Sequence, residues 1–129
     1  MFEKLKEIRK NSYSPYTKFP VSAIVVTKDG REFVGTNVED ISTRAGACAE
    51  RVAIFSAIAQ GVKKEEFKEI HVLASNDDNC ATPCFVCRQM LSEMFDLNSK
   101  VYCYSNNGEK KEFTIEELCP YPFDEDLKK

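Results

Sequence analysis

The sequence predicts an α/β fold, a sheet of about five strands covered by helices. Segments with apolar residues at helical spacing alternate along the chain with short β-branched runs. Two dipeptides that favour tight turns, Asp29-Gly30 and Asn107-Gly108, sit between pairs of such runs, and Cys48 to Gln60 is almost continuously apolar or small. The order is helix, two strands, helix, strand, helix, two strands, tail.

Each element has its own signal. Phe2, Leu5 and Ile8 or Arg9 recur at helical spacing, and the turn-rich stretch from Asn11 to Pro20, with Pro15 inside it, ends that helix. Val21 to Thr27 is rich in β-branched residues and reaches Glu32 to Thr36 through Lys28-Asp29-Gly30, so two strands pair there. Cys48 to Gln60 reads as a helix ended by Gly61 and buried all round, with Val52, Ala53, Ile54, Phe55, Ala57, Ile58 and Ala59 along it. One sheet covers only one stripe of such a helix, so its outer side is expected to meet another copy of the chain. Ile70 to Ser75 reads as a central strand, Asn76 to Pro83 as a loop, and Cys84 to Phe95 as a helix with Val86, Met90, Leu91 and Met94 on its apolar face. Val101 to Ser105 and Lys111 to Thr114 flank Asn107-Gly108 before a short acidic helix near Ile115 to Leu118. No repeat or linker interrupts the 129 residues, so residues 1–129 are expected to form a single domain.

Composition narrows the function classes. A net charge of −3 disfavours a sequence-independent grip on nucleic acid, which depends on clustered cations. The pairs Lys63-Lys64, Lys110-Lys111 and Lys128-Lys129 are scattered and read as solvated surface. No apolar stretch approaches the roughly 18 residues that span a bilayer, so no membrane partner is expected. Met1 to Lys10 mixes Glu and Lys instead of forming a secretory segment, which places the expected location in the cytoplasm. Six cysteines there point away from disulfides and toward metal or catalysis. The single histidine, His71, lies in a strand pattern and reads as structural, so a metal would draw mainly on sulfur and carboxylate.

Two motifs carry the chemistry. In Pro83-Cys84-Phe85-Val86-Cys87 the proline extends Thr82 and starts the helix, which sets two sulfurs on one face of the first turn. Unpaired N–H groups and the positive dipole end favour thiolates there. Cys48-Ala49-Glu50 opens the apolar helix after Ala45-Gly46-Ala47. Residues two apart point to nearly opposite sides of a helix, so Cys48 and Glu50 address one metal only if Cys48 sits at the helix start. Two helix N-termini then bring three thiolates and one carboxylate together, with a fourth zinc position left to water.

With these motifs the chain resembles the small homotetrameric zinc-dependent cytidine deaminases over nearly its whole length. The matching stretches are Ser14-Pro15-Tyr16-Thr17-Lys18-Phe19-Pro20-Val21, Gly35-Thr36-Asn37-Val38-Glu39, Cys48-Ala49-Glu50-Arg51, Pro83-Cys84-Phe85-Val86-Cys87-Arg88-Gln89, and Leu118-Cys119-Pro120 followed by Phe123. The resemblance implies a three-layer α-β-α arrangement with a mixed sheet, a homotetramer, and one Zn²⁺ per chain held by Cys48, Cys84 and Cys87. It implies Glu50 as the proton shuttle for hydrolytic deamination of cytidine and deoxycytidine in pyrimidine salvage. It assigns Asn37 and Glu39 to the ribose hydroxyls, Phe19 to packing beside the base, the Ala49 N–H to the base oxygen, and Phe123 to closing a neighbouring subunit's pocket. A carboxylate at the sugar would repel a phosphate, which favours a free nucleoside as the small-molecule substrate. Arg51 and Arg88, adjacent to the ligands, are expected to draw charge off the sulfurs.

The chain departs from the family pattern at several positions. Bulky Phe85 stands where glycine is usual and is expected to narrow or reshape the pocket. Asp40 replaces asparagine, Thr43 a tyrosine, Ser22 a glycine and Cys119 a leucine. Two rival readings accompany the main one. A blasticidin-S-type or other small-heterocycle deaminase of the same fold would tolerate Phe85 but would not need Glu39. A non-enzymatic structural-zinc domain would need a fourth protein ligand such as Cys80, Cys119 or His71 and would leave Glu50 without a role. Any one cysteine alone would read as a buried thiol, as Cys80, Cys103 and Cys119 do.

Overall fold

The computed structural model describes residues 1–74 and 77–124. Alternation of side chains builds its sheet. In β1 (Ser22–Thr27), β3 (Phe67–Leu73) and β4 (Lys100–Tyr104), Ala23, Val25, Ile70, Val72, Val101 and Cys103 face one side. Ile24, Leu73 and Tyr104 face the other. β1 pairs antiparallel with β2 (Glu32–Thr36), and β4 pairs antiparallel with β5 (Lys110–Thr114). Gly30 and Gly108 adopt the positive φ that both hairpin turns require. β3 joins the halves, antiparallel to β1 and parallel to β4, giving a mixed five-stranded sheet in the order β2-β1-β3-β4-β5.

Helix α1 (Phe2–Arg9) covers one face through Leu5, and the buried Ser22 hydroxyl donates to the Leu5 carbonyl at 2.7 Å. Helices α2 (Ala49–Ala59) and α3 (Phe85–Met94) cover the other, and the short α4 (Ile115–Leu118) closes the β5 end. The expected three-layer mixed-sheet architecture is present. α2 lies very close to β2: a Cβ on Gly35 would stand 2.5 Å from the Ala53 nitrogen and 2.6 Å from the Ala49 oxygen. Only glycine at position 35 permits that approach, which sets the depth of the α2 N-terminus.

α2 is not enclosed in the single chain: Ala49, Ala53, Ile54 and Ala57 are buried, but Phe55 and Ile58 remain 46% and 42% exposed. The sheet covers only its inner stripe. β3 begins at Phe67, earlier than Ile70, after a 3₁₀ turn at Lys64–Glu66 whose charged residues gave no apolar pattern. The expected strand end at Ser75, Asn76 of the expected loop, and Lys128-Lys129 lie outside the described residues.

His71 is structural and sits on the α1 side of the sheet. Its Nδ1 lies 2.9 Å from the Tyr104 hydroxyl, its Nε2 contacts the Glu69 carboxylate, and its ring stacks on Tyr102 at 4.6 Å. Burial pushes its pKa below the usual value, outweighing Glu69. The unfolded chain therefore takes up this proton first, near pH 6.5. The stability contributed by neutral His71 is complete above that pH and is lost as pH falls toward the lower folded value. Unfolding free energy should fall on acidification from pH 6.5, with a slope from this group of at most about 1.4 kcal/mol per pH unit, and thermal unfolding midpoints should fall with it. His71→Gln should flatten that slope, and an unchanged slope in this variant would assign it to other groups.

Candidate functional site

The site is built by two helix starts. Cys48 is the N-cap of α2, with extended backbone at φ −73° and ψ 156°, and Cys84 is the N-cap of α3 at φ −66° and ψ 163°. The extended cap turns Cys48 away from the helical path, so Cys48 and Glu50 reach one cavity although they are two apart. Cys87, in the first turn of α3, is fully buried. The sulfurs of Cys48 and Cys84, 36 residues apart in sequence, lie 3.7 Å from each other. Together with Cys87 they form a group whose ligand atoms all lie within 4.8 Å of one another. Three thiolates at that spacing fit one tetrahedral zinc with an open fourth position.

Among the described residues this metal-fitting group has three members. His71 lies on the opposite face of the sheet, and the Cys80 thiol donates to the Glu109 carbonyl. Neither supplies a fourth ligand.

In the metal-free chain the sulfurs share their charge unequally. The Cys87 thiol and then Arg51 lower the pKa of Cys48 to about 5. The same hydrogen bond, together with burial, pushes Cys87 up. Arg51 donates from Nη2 to the Cys48 sulfur at 3.7 Å, which places its charge beside the sulfurs. Arg88 does not. Its Nε donates to the Pro83 carbonyl at 2.7 Å, Nη1 to the Leu118 carbonyl at 3.1 Å and Nη2 to the Thr82 hydroxyl at 2.7 Å. One step along a helix rotates the side chain about 100°, which carries Arg88 past the sulfurs and into the Pro83 turn.

A cavity of about 520 Å³ opens beside the sulfurs, lined by Phe19, Asn37, Glu39, Cys48, Glu50, Thr82 and Cys84 among others. Glu50 is only 4% exposed. Burial raises its pKa to about 7, and the Cys48 charge adds to the rise. Ala49 is the first residue of α2, so its N–H belongs to the orphan donors of the helix start.

Glu39 and Asn37 are held in place by the chain itself. The Glu39 carboxylate accepts from the N–H groups of Tyr16 at 3.0 Å and Thr17 at 3.1 Å, and from the Thr17 hydroxyl. These contacts, Thr17 foremost, hold its pKa below the ordinary value. The Asn37 amide donates to the Phe19 carbonyl at 2.8 Å and accepts from the Val21 N–H at 2.9 Å, which ties Phe19 to the cavity wall. Thr17, which fixes Glu39, had no chemical signal in the sequence beyond its place in the Ser14 to Val21 stretch.

Phe85 does not narrow this cavity. The residue is 74% exposed, and its ring lies 4.3 Å beneath the Arg88 guanidinium. Phe123 does not reach its own chain's cavity either. The residue is 65% exposed, and its backbone is bound to the Gln89 side chain.

Comparison with known proteins agrees with this geometry. Residues 1–105 match the family model described as the cytidine and deoxycytidylate deaminase zinc-binding region. A cytidine deaminase of Sporosarcina psychrophila is 37% identical over 123 residues, covering 95% of this chain and 88% of that protein. A cytidine deaminase of Halalkalibacterium halodurans is 35% identical over 117 residues, covering 91% and 86%. The crystal structure of cytidine deaminase from Burkholderia pseudomallei superposes with a TM-score of 0.88 at 36% identity, covering 94% of each chain. The matched region is zinc-binding and the sulfur trio fits zinc, so zinc is the metal of this chain. By sequence, fold and metal-fitting sulfurs together, the chain belongs to the zinc-dependent cytidine and deoxycytidylate deaminase family.

Proposed function

We propose that this protein is a cytidine deaminase, converting cytidine and deoxycytidine with water to uridine and deoxyuridine with release of ammonia. The observation that carries the reading is Glu50, buried in the wall of the cavity that Cys48 and Cys84 also line, with a carboxyl that titrates near 7. A free carboxyl of that pKa can both take and give a proton at neutral pH. A structural-zinc domain gives it no task.

Cys48, Cys84 and Cys87 would hold the zinc. When bound, zinc supplies Lewis acidity that brings the pKa of a water toward neutrality. Glu50 would take a proton at its carboxylate from the water that adds to carbon 4 of the base and deliver it to ring nitrogen 3, then pass the remaining hydroxyl proton to the amino group as its bond to carbon 4 breaks and ammonia leaves. The Ala49 N–H, at the positive end of α2, donates to the base oxygen. Phe19 packs beside the base, and Asn37 and Glu39 receive the sugar. The Glu39 carboxylate, ionised and already anchored by Tyr16 and Thr17, favours hydroxyl donors and repels a phosphate. It therefore favours a free nucleoside over a nucleotide, and over a heterocycle without a sugar.

Residues 1–129 work as one deaminase domain within a homotetramer. The exposed outer stripe of α2, Phe55 and Ile58, supports burial against another copy, whose Phe123 closes this chain's cavity. Six unpaired cysteines suit the reducing cytoplasm and a place in pyrimidine salvage.

Incubation with cytidine, followed by ammonia release and the ultraviolet absorbance change, tests the reaction. Turnover of cytidine and deoxycytidine but not of cytidine monophosphate is expected. Glu39→Ala should lower kcat/KM for cytidine about 10- to 100-fold, the weight of a charged hydrogen bond, with zinc content unchanged. Equal loss of zinc and turnover would remove Glu39 from the sugar site.

A further inference from the structure

Gln89 stands in α3 two residues after Cys87, and neither the metal site nor the cavity uses it. Its side-chain amide makes a reciprocal pair with the backbone of Phe123: Nε2 donates to the Phe123 carbonyl at 2.8 Å, and Oε1 accepts from the Phe123 N–H at 2.8 Å. A primary amide can give and take at once to the N–H and C=O of a single residue. Five residues earlier the same terminal segment is held by Arg88, through the Leu118 carbonyl. Between these two anchors stand Pro120 and Pro122, which stiffen the crossing. The terminal segment is thus bound by its backbone to the helix that carries two of the three sulfurs. Phe123 as a whole nevertheless remains 65% exposed. A fixed backbone with a free ring is the arrangement of a group presented to another molecule.

We propose that Gln89 is a positioning residue for substrate binding, which clamps Phe123 to α3 so that its ring is presented to the cavity of a neighbouring copy. The inference rests on the reading above that Phe123 closes that cavity. Gln89 touches neither substrate nor zinc. Its effect falls on how well the closed site holds the nucleoside, and so on KM, while the proton transfers of Glu50 proceed as before. Preorganisation is the physical gain: an unclamped segment would have to be ordered at each binding event.

Steady-state kinetics on zinc-loaded Gln89→Met, Gln89→Glu, Phe123→Ala and the double variant Gln89→Met/Phe123→Ala test this. Methionine keeps the length of glutamine without the hydrogen bonds, and glutamate keeps the acceptor while setting a charge against the Phe123 carbonyl. Both Gln89 variants should raise KM for cytidine about five- to tenfold, with kcat within about twofold and zinc content unchanged. Phe123→Ala should raise KM at least as much, and the double variant should be no worse than Phe123→Ala alone, because the clamp acts only through the ring. A normal KM in both Gln89 variants beside an impaired Phe123→Ala overturns the clamp but keeps the role of Phe123. A normal KM in Phe123→Ala overturns the reading beneath it. Additive effects in the double variant assign Gln89 to a task unconnected with Phe123 and overturn the proposal. Should the methionine variant fail to fold, the glutamate variant carries the same comparison.

Discussion

Glu50→Gln should bind zinc as the unaltered enzyme does and release ammonia from cytidine about 10²- to 10⁴-fold more slowly, the range that a positioned general acid–base group supplies. Glutamine matches glutamate in shape and retains an acceptor, so the cavity wall and the three sulfurs keep their places. What disappears is a carboxyl whose burial, with the Cys48 charge behind it, brings its pKa to about 7. Zinc content and turnover measured on one preparation separate the two roles: metal retained with activity lost confirms the shuttle. A Glu50→Gln enzyme turning over cytidine near the normal rate would end that assignment, and with it the hydrolytic mechanism.

Cys84→Ala should lose zinc as well as activity. Cys84 is the N-cap that brings α3 to α2, and its sulfur is 3.7 Å from that of Cys48. With two sulfurs remaining, the site has lost a third of its protein ligands, and no further member of the group stands ready among the described residues. Metal analysis should fall from one zinc per chain to near zero, with turnover at background. Stability should follow. A ligand held at a hundred times its Kd adds about 2.7 kcal/mol to the folded state. The unaltered protein should therefore melt at a lower temperature after treatment with a chelator, and the variant should melt at one temperature with or without it. Full zinc occupancy in Cys84→Ala would remove this sulfur from the ligand set.

The fold was legible wherever one short-range signal decided the structure. Asp29-Gly30 and Asn107-Gly108 marked both hairpins because their glycines can take the positive φ that those turns need. The order of helices and strands followed from periodicity. The start of β3 did not, since Lys68 and Glu69 interrupt the apolar run between buried Phe67 and Ile70. The partial covering of α2 follows from the limit that one sheet covers one stripe of a helix: Ala49, Ala53, Ile54 and Ala57 are buried, while Phe55 and Ile58 stay exposed. At the site, Cys84 and Cys87 were tied by local spacing, whereas Cys48 joined them through the recognised family pattern and through a packing that no local rule contains. Arg88 was the clearest failure. Adjacency to a ligand suggested that it served the sulfurs, yet the rotation of the helix sends it to Pro83, Leu118 and Thr82. Gln89 stood in the same recognised stretch without a role, because its partner is a backbone 34 residues away.

The pairing of two extended helix caps gives the ion a mechanical duty beside its chemical one. α2 leans on β1 and β2, whereas α3 crosses elsewhere over the same layer, so the junctions before them belong to distant stretches of chain. An ion held by Cys48, Cys84 and Cys87 would stitch those junctions together. Fraying at either one would then have to break a coordinate bond before any further unravelling.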